Sequence, residues 1–386
     1  MSTAEWLPDL PADWDVARLS YLCRIGTGEL DTIDADPEGS VPFYIRSPHV
    51  QRATSATGAG EAVLTPGDGA VGEVFHHHRV GDFAAHQRVY VLDRFDRTKL
   101  LPRFFYWYFS SRFRMVTSGG TAKSTVESLR RPMFTSFPVA LPPLVQQRRI
   151  ADYLDRETAT IDALIEKQRR LVDGLKCRRR ALLDEVWRRA QEVGAQQRLK
   201  WHLRPSSETA PPGEEVLSVY RDHGVVPKSS RTDNFNRTPE NVERYLWVRA
   251  GDVVVNKMKA WQGSIAVSHH QGLVSPDYEV LRPTSQAFDL RFLHYLLRCP
   301  RMIAEYRTHS VGIRPAQWRL YWDRLGLIEV PVPTLGDQRE IADHLDRETA
   351  KIDALIAKAE RFIELAQERR AALITAAVTG QIEIPT

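Results

Sequence analysis

The sequence predicts an α+β protein: two mixed α/β globular domains separated by two long helices that pair as an antiparallel coiled coil. Three observations predict it. Residues 147–165 read QRRIADYLDRETATIDALI and residues 338–356 read QREIADHLDRETAKIDALI, an internal repeat at an offset of 191 broken only at Arg149/Glu340, Tyr153/His344 and Thr160/Lys351. Each copy follows a proline, Pro143 or Pro333, and then runs more than forty residues without another. Residues 1–144 and 196–333 have instead the short apolar runs and frequent turns of folded domains.

Composition bounds the alternatives. At 386 residues the chain exceeds what one hydrophobic core organises, and 42% hydrophobic with 26% charged residues excludes wholesale disorder. The aromatic run Leu100 to Phe109 is interrupted by Arg103 and is too short to cross a bilayer. The first residues carry acids where an export signal carries bases before an apolar stretch. Cys23, Cys177 and Cys299 are far apart and contain no paired motif, so neither a disulfide framework nor a zinc site is expected, and a cytoplasmic location is.

In chain order, the first globular stretch (1–144) offers VPFYIR at 41–46, Gly67-Asp68-Gly69-Ala70-Val71 as a turn into a strand, and Arg103-Phe104-Phe105-Tyr106-Trp107 opening an aromatic helix. The second (196–333) offers VLSVYR at 216–221, Gly251-Asp252-Val253-Val254-Val255 and Arg291-Phe292-Leu293-His294-Tyr295 in the same order. The two stretches are therefore read as one plan copied twice and diverged through loop insertions.

Between and after them lie the repeat helices, 145–195 and 334–386. Apolar residues recur at helical spacing: Ile150, Leu154, Ile161, Leu164, Leu171, Leu175 and Leu182 in the first, Ile341, Leu345, Ile352, Leu355, Phe362 and Leu373 in the second. From Ile161 the steps approximate a heptad, with Ile161, Gln168, Leu175 and Leu182 in one seam position and Leu164, Leu171 and Arg178 in the other. A helix of about 45 residues is about 68 Å long and cannot leave its apolar stripe uncovered, so each helix is expected to cover the other. The formal charge is only +4, yet Lys167 to Arg189 holds nine bases against three acids. Such a run reads first as a solvated face with acidic partners on a neighbouring helix.

The segment LPPLVQQRRIADYLDRETATIDALIEKQ (141–168), present twice in outline, resembles the spacer region of the DNA-specificity subunit of type I restriction-modification systems. The resemblance covers essentially the whole chain. It implies a subunit without catalysis and without a cofactor of its own. Residues 1–144 and 196–333 would be target-recognition domains, each reading half of an interrupted asymmetric site in double-stranded DNA. The helices would set the gap and dock two methyltransferase subunits, which use S-adenosylmethionine. Motor-nuclease subunits using ATP and Mg would join that complex.

Enzyme signatures are incomplete. Leu141-Pro142-Pro143-Leu144 lacks both ends of an adenine-methyltransferase loop, and Gly120-Thr121-Ala122-Lys123-Ser124 lacks the glycine before lysine of a phosphate loop. Pro276-Asp277-Tyr278-Glu279 begins a nuclease pattern but places Leu281 where lysine belongs. His76-His77-His78 and His269-His270 alternate across a strand without completing a metal set. The alternative function is a fused methyltransferase or nuclease with an unrecognised site; a structural coiled-coil adaptor is a third.

Reading DNA takes bases for phosphates and Arg, Lys, Asn, Gln or aromatic groups for base edges. The best cluster is Asn256, Lys257, Lys259, Trp261 and Gln262, following the apolar run Val253 to Val255, with Glu73 to Arg79, including His77 and Arg79, as its counterpart in the first domain. Lys123 beside Ser124, Arg314 beside Pro315, Arg46 with His49, and Arg221, Asp222, His223 and Lys228 are secondary candidates. Each competes with plain surface charge, and Trp261 and Trp318 with a place in the core.

Overall fold

The computed structural model describes residues 10–67, 76–113, 129–209, 214–221, 223–230, 242–314 and 317–385. They group into two compact units, residues 1–168 with 361–386, and residues 169–360. Each unit thus holds one globular region and part of each long helix.

In the first unit, β1 (Asp15–Arg18), β2 (Arg24–Thr27), β3 (Val41–Tyr44), β4 (Gln51–Ala53), β5 (Glu61–Pro66), β6 (His77–Val80), β7 (Ala84–Ala85) and β8 (Val89–Asp93) precede the helix α1 (Pro102–Arg112), the short α2 (Arg131–Thr135) and β9 (Pro138–Leu141). The main sheet has the order β2-β8-β5-β6, all neighbours antiparallel; β4-β3-β7 forms a second sheet and β1 pairs with β9. Proline opens α1, as its missing N–H allows at a helix start. That helix buries Phe104, Phe105, Tyr108 and Phe109, which meet Val63 and Leu92 of the sheet, Phe134 and Phe137, and Ile150 and Leu154 of the repeat helix. Phe109 stacks on Phe113 at 4.3 Å between centroids and Phe113 on Phe134 at 4.8 Å, so aromatic packing carries this core.

The second unit repeats the plan. Here β10 (Ala195–Arg198), β11 (Leu203–Ser206), β12 (Leu217–Tyr220), β13 (Gly224–Pro227), β14 (Leu246–Val248), β15 (Val253–Asn256), β16 (Ile265–Val267), β17 (Gly272–Val274) and β18 (Tyr278–Pro283) are followed by α4 (Leu290–Arg298), α5 (Pro300–His309), α6 (Trp322–Leu325) and β19 (Glu329–Val332) once α3 (Leu144–Val193) of the repeat is numbered. The main sheet is β11-β18-β15-β16, and β10 pairs with β19 as β1 does with β9. The strands VPFY and LSVY and the two aromatic helices fall where the paired motifs place them. Their glycine pairing does not hold. The structural counterpart of Gly251 is Gly60, since each enters the central strand of its sheet at positive φ, 95° and 92°. Gly67 follows its strand, and residues 68–71 lie outside the described residues. The sequence match GDGAV/GDVVV was misleading because the glycine before β5 is followed by Glu and Ala rather than by Asp and Val.

The second repeat helix is α7 (Leu335–Val378). Within the first unit Arg370 of α7 reaches Asp162 of α3 at 2.8 Å, and within the second Arg179 of α3 reaches Asp353 of α7 at 3.0 Å. Asp162 and Asp353 are repeat equivalents, as are Arg179 and Arg370, so the two ion pairs are one interaction made twice, which requires antiparallel helices. The first seam position is as expected. The second belongs to Ile165, Val172 and Val186, with the half-buried Arg179, and Leu164 and Leu171 are exposed, as are Leu355 and Phe362 in α7. The phase is shifted by one residue because Arg179 sits in the seam on an acidic partner. A polar residue there masks the pattern that the more conspicuous leucines suggest.

Each globular region is fixed to its helix by the same joint. Gln147 accepts from the Leu101 backbone N–H at 2.8 Å and donates to the Lys99 and Pro142 carbonyls at 2.7 and 2.8 Å. Gln338 accepts from Asp289 N–H at 2.8 Å and donates to Ala287 and Pro333 at 2.7 and 2.9 Å. Two turns on, Asp155 accepts from Arg103 at 2.6 Å and from the Trp107 indole at 2.9 Å, while Asp346 accepts from Arg291 at 2.7 Å and the Tyr295 hydroxyl at 2.6 Å. Both glutamines are fully buried, so each bond lost strands a backbone group away from water. Gln147→Leu and Gln338→Leu are each expected to destabilise the chain by about 1–3 kcal/mol. The costs should add in the double variant because the joints share no partner; urea unfolding midpoints check this.

Candidate nucleic-acid interface

The loop after β15 is built by its own polar groups. Asn256 Oδ1 accepts from the Met258 N–H at 3.1 Å, and the chain turns through one 3-10 turn, Ala260–Gln262, capped by Gly263 at φ 99°. Trp261 donates its indole N–H to the Met258 carbonyl at 3.1 Å and meets Trp318 edge-on at 5.4 Å. That pair anchors the loop to the segment before α6 instead of presenting Trp261 freely to a ligand.

The two lysines separate. Lys257 donates to the Pro276 carbonyl at 2.9 Å and lies 3.9 Å from Glu279, with 18% of its side chain exposed. Burial raises the Glu279 carboxyl above its usual range, opposed by the charge of Lys257, so this lysine is committed inside the domain. Lys259 and Gln262 are exposed, and Lys259 has no carboxylate within ion-pair distance among the described residues. On the neighbouring hairpin β12–β13, Arg221 occupies the turn, where its carbonyl accepts from Arg298 at 2.6 Å, and His223 is exposed; Asp222 lies outside the described residues. Lys228 starts a 3-10 turn after β13 and is half-buried. Arg314 is exposed in a bend beside Ile313, itself 94% exposed, while Pro315 lies outside the described residues.

The structure therefore brings Arg221, Gln262 and Lys259 toward one end of the second unit's sheet and leaves Arg314 on a separate loop. In the first unit Arg46 and His49 are exposed after β3. His77 and Arg79 lie on β6, paired with Leu64 and Ala62, so they correspond to β16 and not to the loop after β15 as the sequence suggested. The difference arises because the connection from β5 to β6 is longer than that from β15 to β16. His77 packs on Tyr44 at 4.9 Å, and its burial lowers its pKa; Arg79 donates to the Asp82 carbonyl. Glu73 and Lys123 with Ser124 lie outside the described residues.

Sequence reasoning missed Arg298 and Arg307. Arg298 is buried and holds the Tyr220 and Arg221 carbonyls, and Arg307 donates to the Trp261 carbonyl at 3.2 Å. Their spacing on α4 and α5 resembles any helix surface, so no local signal marks them. Among the described residues no helix is long and apolar enough to cross a membrane, and no group of His, Cys, Asp or Glu is arranged to hold a metal ion.

The family model for the type I restriction modification DNA specificity domain matches residues 11–172. The type I restriction enzyme EcoDI specificity subunit of Escherichia coli is 21% identical over 97% of this chain and 89% of its own length. Both likenesses are to type I restriction-modification specificity proteins. The EcoBI specificity subunit of Escherichia coli is 26% identical over 44% of this chain and 34% of its own. The fold also matches a chain solved in work on complex assembly and conformational transition of the type I R-M system, with 16% identity, TM-score 0.63 and coverage of 97% and 100%.

The loop geometry distinguishes two substitutions. Lys257→Ala should lower stability by leaving the half-buried Glu279 uncompensated, whereas Lys259→Ala should keep the unfolding midpoint and weaken DNA binding, reducing the salt slope by about one unit. Equal effects of both on stability and on DNA binding would contradict this division. A pH dependence follows from His294 on α4, pushed down to about 3 by burial and by Arg298, with His269 and Arg179 adding to the positive field. The unfolded histidine titrates near 6.5, so the folded chain binds fewer protons between these values. Stability is accordingly full above about pH 6.5 and falls as pH drops toward 3; His294→Gln should flatten that fall in urea midpoints measured from about pH 7 to about pH 4.5.

Proposed function

We propose that this chain is the non-catalytic DNA-reading subunit of a type I restriction-modification complex. Residues 1–144 and 196–333 act as target-recognition domains and residues 145–195 and 334–386 as helical spacers. The observation that carries the reading is the duplication itself: two domains whose main sheets share one strand order, each mounted on its helix through the same glutamine and aspartate. Two equivalent mounts suit two separate half-sites, whereas a fused methyltransferase or nuclease would have no need of a second mount. Each domain reads one half of an interrupted asymmetric site in double-stranded DNA, with Gln262 available to base edges and Lys259 to a phosphate.

The helices set the gap and dock two methyltransferase subunits. Leu164 and Leu171 in α3 and their repeat equivalents Leu355 and Phe362 in α7 are 40–50% exposed beside the seam, which gives each helix an apolar strip for a partner helix. The partners supply S-adenosylmethionine chemistry, and motor-nuclease subunits with ATP and Mg join them in the cytoplasm.

Exchange of residues 196–333 for the matching domain of a relative tests the assignment. In cells expressing the complex, mapping of methylated sites should show one half-site replaced and the other retained. Replacement of both halves would mean a single composite reading surface. Methyl transfer from labelled S-adenosylmethionine to DNA by the purified chain alone would instead support the fused-enzyme reading.

A further inference from the structure

Within the second unit an open cleft of about 880 Å³ lies between the recognition fold and the repeat helices. Its walls carry Lys176, Arg179, Arg180, Arg221, Arg298 and Arg307 against only two acids, Asp353 and Glu360. The acids are spoken for: Asp353 pairs with Arg179 at 3.0 Å, and Glu360 lies 3.7 Å from Lys176. Arg298 is a cation at 9% exposure that donates to the Tyr220 and Arg221 carbonyls. Its field helps hold His294 neutral, a sign that the local potential is positive. Gln262, one of the candidate base readers, lines the same cleft, so the cations adjoin the reading loop.

Resting on the DNA-reading assignment, we propose that this cleft holds the sugar-phosphate backbone of the unread gap next to the second half-site. Three features point to a backbone over a small anion or an acidic protein. The cleft is an open groove, the cations come from both the recognition fold and the middle of α3, and the surplus sits on long arginines that track a strand of phosphates. The cleft is also one-sided. At the repeat equivalents of Lys176 and Arg180, α7 carries Gln367 and Ala371, so the sequence duplicated in every element of the joint is not duplicated here. The grip therefore belongs to the second half-site alone and is indifferent to base sequence.

The test compares Arg180→Gln with Arg307→Gln, combined, against Lys358→Gln, an exposed α7 lysine outside the cleft wall. Each is carried in the full chain assembled with methyltransferase subunits, and a 40-bp duplex of arbitrary sequence is titrated across a salt series. The cleft variant should lose affinity and reduce the magnitude of the log-log salt slope by about 1.8, near 0.9 for each phosphate contact, while Lys358→Gln stays at the wild-type slope. Equal slopes for cleft variant, control and wild type would overturn the proposal. So would displacement of the duplex by inorganic phosphate at constant ionic strength, the mark of a small-anion pocket. Loss of methyltransferase assembly with unchanged duplex binding would assign the cleft to an acidic protein surface and overturn it equally. No duplex binding by the wild-type complex would sink the DNA-reading assignment itself.

Discussion

A buried glutamine with a carboxylate two turns further on decides the architecture. Gln147 and Gln338 each satisfy one N–H and two carbonyls at the edge of a globular region, and Asp155 and Asp346 each bind an arginine together with the polar tip of an aromatic residue. An amide is suited to the first task because it both donates and accepts in fixed geometry, and a carboxylate to the second because it takes several donors at once. Apolar contacts alone would let a globular region slide along a regular helical stripe. Directional bonds at two points one face apart fix its place. This explains why the repeat is so well kept while the loops of the two domains have diverged.

The paired helices add a second constraint. Their seam contains an arginine on each strand, placed opposite the aspartate of the partner, and the same exchange occurs at both ends of the duplication. Partly exposed ion pairs add little stability, on the order of 0–1 kcal/mol. Their effect is on register, since the same arginine–aspartate pairing is made at both ends of the duplication. Register in turn matters to any function that depends on how far apart two reading surfaces are held.

Much of this was legible in the sequence. The repeat, its helical period, the antiparallel pairing and the aromatic helices α1 and α4 all follow from spacing alone. The seam phase was not, because Leu164 and Leu171 are more apolar than Arg179, and composition cannot reveal that an arginine is satisfied across the interface. The strand pairing of Gly251 with Gly60 was hidden by loops of unequal length. Within the candidate site, the loop after β15 was visible as basic and aromatic, yet Lys257 turns inward to Pro276 and Glu279, a fate set by β18 and invisible locally. Arg298 and Arg307 gave no signal because their role comes from the approach of α4 and α5 to distant turns.

The division in which the helices carry the gap and the domains carry the bases is tested by inserting four residues, about one turn or 6 Å of helix, beside Leu171 and mapping the methylated sequence in cells. The account predicts a changed gap between two unchanged half-sites. An unaltered gap with altered half-site sequences would contradict it.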